Sequence, residues 1–412
     1  MTATRFSKAA TIVLIAAWLA AVFFLWRTKV PDLSLPHLDP RDYFPAAQLH
    51  RAVHYSDVAR LLYLAGVAAQ LAVLVVFALF ARPLARGFAL GEIGTGIMLA
   101  VAVNLFVWAT ALPLGIAGHW WDSRYGLTKR SYGSFVAQQA VGLLVQTATV
   151  AIVLAMIMLI ARRFRRNWWL VVAPLFAAVG AVFVVVTAVL AASGAHPIRD
   201  RQVAAAARQL SRREGVAGTK IRVENVGGTT RAVNAETIGL GPTTVVVLWD
   251  TLFHAKLSDR AIEFVTAHEL GHAARRHLWK GLGWGLVFTL PLTFLLAEAT
   301  RRRGGIHRGE VVPYALLVAA VLGLAATPLQ NIVSRRYEAE ADWMALQATH
   351  DPAAGREAFR SFTRVDLAAP NPPLWSYVAL DDHPTVMQRL AMIRVWATRE
   401  KARTGVRSRA GS

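Results

Sequence analysis

The chain has 412 residues, 55% of them hydrophobic and only 17% charged, where an average soluble domain carries roughly 25% charged residues. Lys and Arg outnumber Asp and Glu by 45 to 25, giving a net charge of +20, and Cys is absent. So much apolar surface excludes a disordered chain, and the lack of thiols excludes disulfides and leaves nitrogen and oxygen as the only strong metal ligands.

Seven apolar runs follow in chain order: 9–26, 61–81, 93–116, 135–161, 168–192, 282–297 and 311–333. A span needs ~20 apolar residues to cross ~30 Å of hydrocarbon, and helices satisfy their own backbone there. The expected architecture is therefore mostly α, a multi-pass helical protein of the cell membrane with about seven spans. The first run follows Arg5 and Lys8 with no small-residue cleavage site after it, so it reads as a retained anchor. Polar connections are expected at 27–57 and 117–134. The Arg clusters at 162–166 and 301–308 lie between spans, where loops meet anionic lipid headgroups. That placement argues for membrane lipid as a partner and against nucleic acid.

The first long polar stretch, 197–260, predicts a helix at 199–213, a short strand at 221–223, a return strand at 231–234 and an apolar strand at 244–248. The last of these reads equally well as an edge strand beside the next helix or as a buried central strand. Ser258 is the predicted N-cap of a helix that runs on into the sixth span. After the seventh span, 335–412 is helical by period, with a frayed basic tail from 401.

On the helix after Ser258, His268-Glu269-Leu270-Gly271-His272 forms H-E-x-x-H. Residues four apart lie one turn apart on one helix face, so both imidazoles can reach one ion. Glu269 sits where it can act as general base. Neutral imidazole suits zinc, which lowers the pKa of a bound water to about 7. Two such histidines are also compatible with plain packing; a helix passing from a polar domain into the membrane favours the metal. A third ligand is needed. The zincin form with a His six residues on fails, because Leu278 stands there; His277 is expected to face headgroups or solvent. Glu298 and Glu310 lie at the far end of a span. The next acidic cluster is Glu338-Ala339-Glu340-Ala341-Asp342, on the limb that returns through the membrane. Glu338 and Asp342 share a helix face, so one can bind the metal and the other support it, while Glu340 points roughly the other way.

Three sets of residues carry a family resemblance. They are His268-Glu269-Leu270-Gly271-His272, then Asn331 through Asp342, then His383-Pro384-Thr385 with Arg389-Leu390. The chain resembles the M48 membrane zinc metallopeptidases, nearest the Ste24 (CAAX prenyl protease 1) branch and more distantly the HtpX proteases. The resemblance implies one Zn²⁺ per chain on His268, His272 and Glu338, with Glu269 as base. It also implies an active-site role for Asp342, as proton donor or as orienter of a ligand His. Asn331 and His383 match positions that contact substrate or stabilise the oxyanion, and Arg389 matches an arginine of the substrate-binding site that pairs with acidic groups. The implied organisation has a membrane region at 1–196, an insertion at 197–280, a transmembrane hairpin at 281–334 and a C-terminal region at 335–412. The zincin-type α+β catalytic domain is split between insertion and C-terminal region. Protein or peptide substrates are implied; oligomeric state is not. A metal transporter or channel, or a catalytically silent scaffold, are the competing classes. The loops at 82–92, 162–167 and 300–310 and the N-terminus hold twelve Lys and Arg, against seven in the opposite connections. Charge bias thus makes the catalytic face extracytoplasmic, whereas the resemblance implies a cytosolic one.

Overall fold

In the computed structural model, residues 2–88 and 90–410 are described, with side-chain surroundings for 12–88 and 90–403. Apolar runs with no interior charge become helices. The first five are α1 (Thr2–Leu25), α2 (Ala46–Ala85), α3 (Gly91–Tyr125), α4 (Tyr132–Phe164) and α5 (Trp168–Gly194). Large apolar side chains stand on their outer faces: Phe80, Leu144 and Phe183 are 57%, 70% and 67% exposed. Such a surface is stable against lipid and not against water.

Seven separate spans are not reproduced as a count. Among the described residues five helical stretches are long and apolar enough to cross a membrane, and one of them, Tyr132–Gly194, contains two of the expected runs. Only a three-residue turn with Arg165 at φ 45° divides α4 from α5. The first run contributes the shorter apolar helix Ile12–Leu25. The expected connection at 117–134 is also shorter than the sequence suggests. Helix α3 continues to Tyr125 and is ended by Gly126 in the left-handed region at φ 75°, a conformation glycine adopts at little cost.

The polar insertion opens with α6 (Arg201–Arg213), whose N-terminal amides are capped by Asp200. A three-stranded sheet follows: β1 (Lys220–Glu224), β2 (Ala235–Ile238) and β3 (Val245–Trp249), ordered β1-β3-β2. Strand β3 lies parallel to β1 (Val223 opposite Leu248) and antiparallel to β2 (Thr237 opposite Val246). It is therefore central, and fully buried over Val245–Leu248; the edge reading of 244–248 is excluded. The return strand forms at Ala235–Ile238 and not at 231–234, because Thr251 Oγ1 takes the carbonyl of Ala232 and Asp366 the amide of Val233.

Helices α7 (Thr251–His254) and α8 (Asp259–Ala274) lead to α9 (His277–Arg301), α10 (Val312–Thr349), α11 (Pro352–Arg364), α12 (Leu374–Ala379) and α13 (Val386–Ala410). The helix expected to run unbroken from Ser258 into the sixth span breaks at Arg276, which is left-handed at φ 55°. Helix α10 has 38 residues, about 57 Å at 1.5 Å each, roughly twice the hydrocarbon thickness. One continuous rod thus carries the acidic cluster from the bilayer into the polar domain, and the expected boundary at 334/335 falls inside it. The basic tail is helical through Ala410, the last two residues lying outside the described ones. The largest apolar core belongs to the polar domain, where Phe264 and Leu270 of α8 meet Leu346 of α10, Phe359 of α11 and Ile393 of α13.

Candidate active site

Helix α8 starts firmly, with Ser258 Oγ accepting the amide of Ala261. Its buried face then presents His268, Glu269 and, one turn on, His272. Gly271 lies against Ala341 of α10, where a Cβ would come 3.4 Å from the Ala341 Cα. Two small residues at the contact let the helices approach closely, which is what brings the second set of side chains into reach.

Glu338 meets both imidazoles. Its Oε2 lies 3.2 Å from His268 Nε2 and its Oε1 3.4 Å from His272 Nε2. The two Nε2 atoms are 3.1 Å apart. Each of the three residues has one ligand atom within 4.8 Å of the others. On the other side of His268, Nδ1 is 2.8 Å from Asp342 Oδ1. Burial lowers the pKa of His268, but the hydrogen bonds and charges of Asp342 and Glu338 outweigh it and push the imidazole up to about 10. Glu338 Oε2 is buried and without a hydrogen-bond partner. An N, N, O donor set with an orphaned carboxylate oxygen fits a divalent metal.

The remaining candidates arrange themselves around this cluster. Glu269 is buried beside the ligand pair, with Thr237 Oγ1 of β2 2.9 Å from its Oε2 and 2.7 Å from its carbonyl oxygen. Asp342 is fully buried and gripped by Arg389, whose Nε donates to Oδ2 at 2.8 Å and whose Nη2 donates to Oδ1. The Arg389 guanidinium lies over the Phe359 ring, 4.0 Å from its centroid, and its Nη2 is also 3.5 Å from His268 Nδ1. His383 stands at the open side, its Nε2 3.3 Å from Glu338 Oε2 and its Nδ1 2.7 Å from Asp382. Burial lowers its pKa, but Asp382 and Glu338 raise it further, for a net upward shift. Asn331 is buried on α10 two turns before Glu338, its amide donating to the Val378 carbonyl, while Arg335 donates to the carbonyls of Tyr377 and Asp381. Together they tie down the segment that carries His383.

One sequence expectation is overturned. His277 is buried, not turned to headgroups or solvent. On an unbroken helix a residue five positions after His272 would point elsewhere; the left-handed turn at Arg276 swings it back, its Nδ1 3.0 Å from His272 Nδ1. Glu340 does point away from Glu338 and is entirely buried, 3.0 Å from His277 Nε2. Thr237 carries no motif of its own in the sequence; pairing of β2 with β3 and contact with α8 set it beside Glu269.

A cleft of about 550 Å³ opens over His268 and Glu269. Phe264, Val265 and Phe362 give it an apolar wall, and Asp366, Asp381 and Asp382 an acidic rim. Burial pushes the Asp366 carboxyl up to about 7, against the smaller opposing effect of the Val233 amide.

A bundle of apolar helices, an H-E-x-x-H helix and a carboxylate returning on a second helix define a multi-pass membrane metalloprotease. The profile of peptidase family M48 matches residues 197–397, and that of the CAAX prenyl protease N-terminal domain, with five membrane helices, matches 10–192. The chain belongs to the M48 family. It is similar to the uncharacterized metalloprotease YhfN of Bacillus subtilis, 23% identical over 90% of this chain and 93% of that protein. It is also similar to a protease HtpX homolog of Bacteroides fragilis, 28% identical over 42% of this chain and 56% of that protein. Among solved structures, S. mikatae Ste24p shares the fold with a TM-score of 0.73 at 20% identity, over 92% of this chain and 96% of that one.

Proposed function

We propose that this chain is an integral-membrane zinc endopeptidase that hydrolyses peptide bonds in protein or peptide substrates. The observation that carries the reading is the convergence of His268, His272 and Glu338 with Glu269 alongside. Bound there, a zinc ion would supply Lewis-acid polarisation and acidify a water. Glu269, steadied by Thr237, is placed to act as general base and to return a proton to a departing amine. His268 Nδ1–H donates a hydrogen bond to Asp342, which turns the Nε2 lone pair toward the metal site. With both oxygens held by Arg389 and one also by His268, Asp342 acts by orienting His268 and not by donating protons. His383, its Nδ1 held by Asp382, has its Nε2 placed to donate to an oxyanion beside Glu338.

The substrate main chain adds to β2. β3 pairs with one side of β2, and among the described residues no strand pairs with the other. Trp249 N bonds Asn234 O across the antiparallel pair. The alternation of such pairs turns the amides of Ala235 and Thr237 outward, toward a peptide. The apolar wall of the cleft then receives a substrate side chain. A transporter is disfavoured because the ionisable cluster sits in the polar domain and not along the spans. A silent scaffold is disfavoured because neither Glu269 nor any ligand is missing.

The test is Glu269→Gln. Zinc content should stay at one per chain while hydrolysis falls about 10²- to 10⁴-fold. Full peptidase activity in that variant would remove the general-base assignment.

A further inference from the structure

Glu340 is completely buried and receives four donors. Its Oε1 accepts from Arg275 Nε at 2.7 Å and from the Lys29 amide at 2.8 Å. Its Oε2 lies 3.0 Å from His277 Nε2 and 3.5 Å from Lys280 Nζ. A carboxylate flanked by a guanidinium and an ammonium is ionised and can only accept. His277 Nε2 must therefore carry the proton. With a proton there, the neutral His277 ring has a bare Nδ1, which is the atom facing His272 Nδ1 at 3.0 Å. Two bare nitrogens cannot meet at that distance, so His272 Nδ1 holds a proton and donates it. The lone pair of His272 is then left on Nε2, the atom turned toward Glu338 and His268.

The order of protons along this chain is fixed from its buried end. The His277 ring is also clamped in orientation. It stacks on Tyr337 with centroids 4.6 Å apart and planes at 11°. The Tyr337 hydroxyl accepts from Trp284 Nε1 at 2.8 Å and donates to the Leu25 carbonyl at 2.6 Å. His268 has a matching arrangement in Asp342 and Arg389, so each histidine of the pair ends on an anchored carboxylate.

We infer that His277 and Glu340 are positioning residues for the metal. Glu340 sets the tautomer of His277, and His277 in turn holds the His272 ring with its Nε2 lone pair directed at the ion. The inference rests on the metal reading proposed above and extends it to residues that touch neither metal nor substrate. Partners of this kind typically contribute 10- to 100-fold to metal affinity (order of magnitude).

The experiment compares full-length protein with H277F, H277Q and E340Q. The zinc dissociation constant is measured by chelator competition at one fixed pH, and the Co²⁺-loaded forms by their ligand-field absorption. Phe keeps the stacking on Tyr337 but cuts the chain. Gln can accept from His272 and donate to Glu340. E340Q keeps the shape while removing the charge that orders the protons, and it carries the test if H277F fails to fold. The expected result is a dissociation constant raised about 10- to 100-fold in H277F, partial recovery in H277Q, weakening in E340Q, and a shifted Co²⁺ spectrum in the weakened forms. Parental affinity and spectrum in the folded variants would overturn the inference. The double variant His268→Ala with His272→Ala separates the two layers. If it abolishes zinc binding while H277F and E340Q do not weaken it, the relay alone fails. If it binds zinc like the parent, the metal reading fails with it.

Discussion

Asp342 is the residue at which two accounts of the chemistry part. A proton donor needs a free proton and access to the leaving group; Asp342 has neither, with both oxygens held by Arg389 and His268 in a fully buried position. Asp342→Asn should therefore weaken zinc binding by about tenfold or more, seen by chelator competition. A proton-donor role would instead lower turnover with zinc affinity unchanged. Asp366 makes a different prediction. Burial raises its pKa to about 7 in the folded chain, against about 3.9 unfolded. The folded state thus holds the extra proton between those values. This contribution to stability is complete below about pH 4 and lost as pH rises through about 7. Asp366→Asn keeps an acceptor for the Val233 amide and has nothing to titrate. Its melting temperature should gain on the parent by a few degrees between pH 4 and 7 and then run parallel. A gap independent of pH would contradict the assignment. The grouping of His268, Glu269 and His272 with Glu338 and Asp342 was legible in the sequence because four-residue spacing on a helix needs no tertiary knowledge. The contacts of His277 and Glu340 were not. They depend on a left-handed turn at Arg276, which no Gly or Pro announces, and on partners drawn from residue 29 and from 275–280.

At the scale of elements, β2 and α10 decide what the site can do. Strand β2 is short and reads Ala-Glu-Thr-Ile, too polar to compete with Val245–Trp249 as a strand signal, so the sequence left 244–248 open between edge and centre. The central place of β3 follows from its burial on both faces, which an all-apolar run permits and an edge strand would avoid. Ala235→Pro removes one outward amide without disturbing the pairs at 234 and 236. It should lower kcat/KM for a peptide by about 3- to 10-fold, with zinc content at one per chain. Unchanged kcat/KM would show that substrate does not pair with this edge. Helix α10 was legible as a span and as an acidic helix, but not as one rod. Nothing breaks it at the membrane boundary, and Pro328 lies within it without ending it.

At the scale of the whole molecule, the Arg-rich turns at 162–166 and 301–308 lie at the opposite ends of their helices from the metal cluster. Helix α9 begins at His277, beside the site, and ends at Arg301. The excess of Lys and Arg on that far side predicts that it faces the cytoplasm. A topology reporter fused after Ser412 should then be active outside the cytoplasm, and cytoplasmic activity would reverse the orientation. Apolar composition made the membrane bundle plain from the sequence, since runs without charge leave few alternatives. The number of separate spans was less plain, because a turn of three residues between two apolar helices leaves almost no trace in hydropathy.

The most direct test is zinc-edge X-ray absorption on the purified protein, with metal content measured on the same sample. The account predicts one zinc per chain, with two imidazole nitrogens at about 2.0–2.1 Å and carboxylate oxygen at about 2.0–2.2 Å. It further predicts loss of the carboxylate contribution and weaker binding in Glu338→Ala. A stoichiometric zinc whose spectrum is the same in the parent, in Glu338→Ala and in His272→Ala would contradict it.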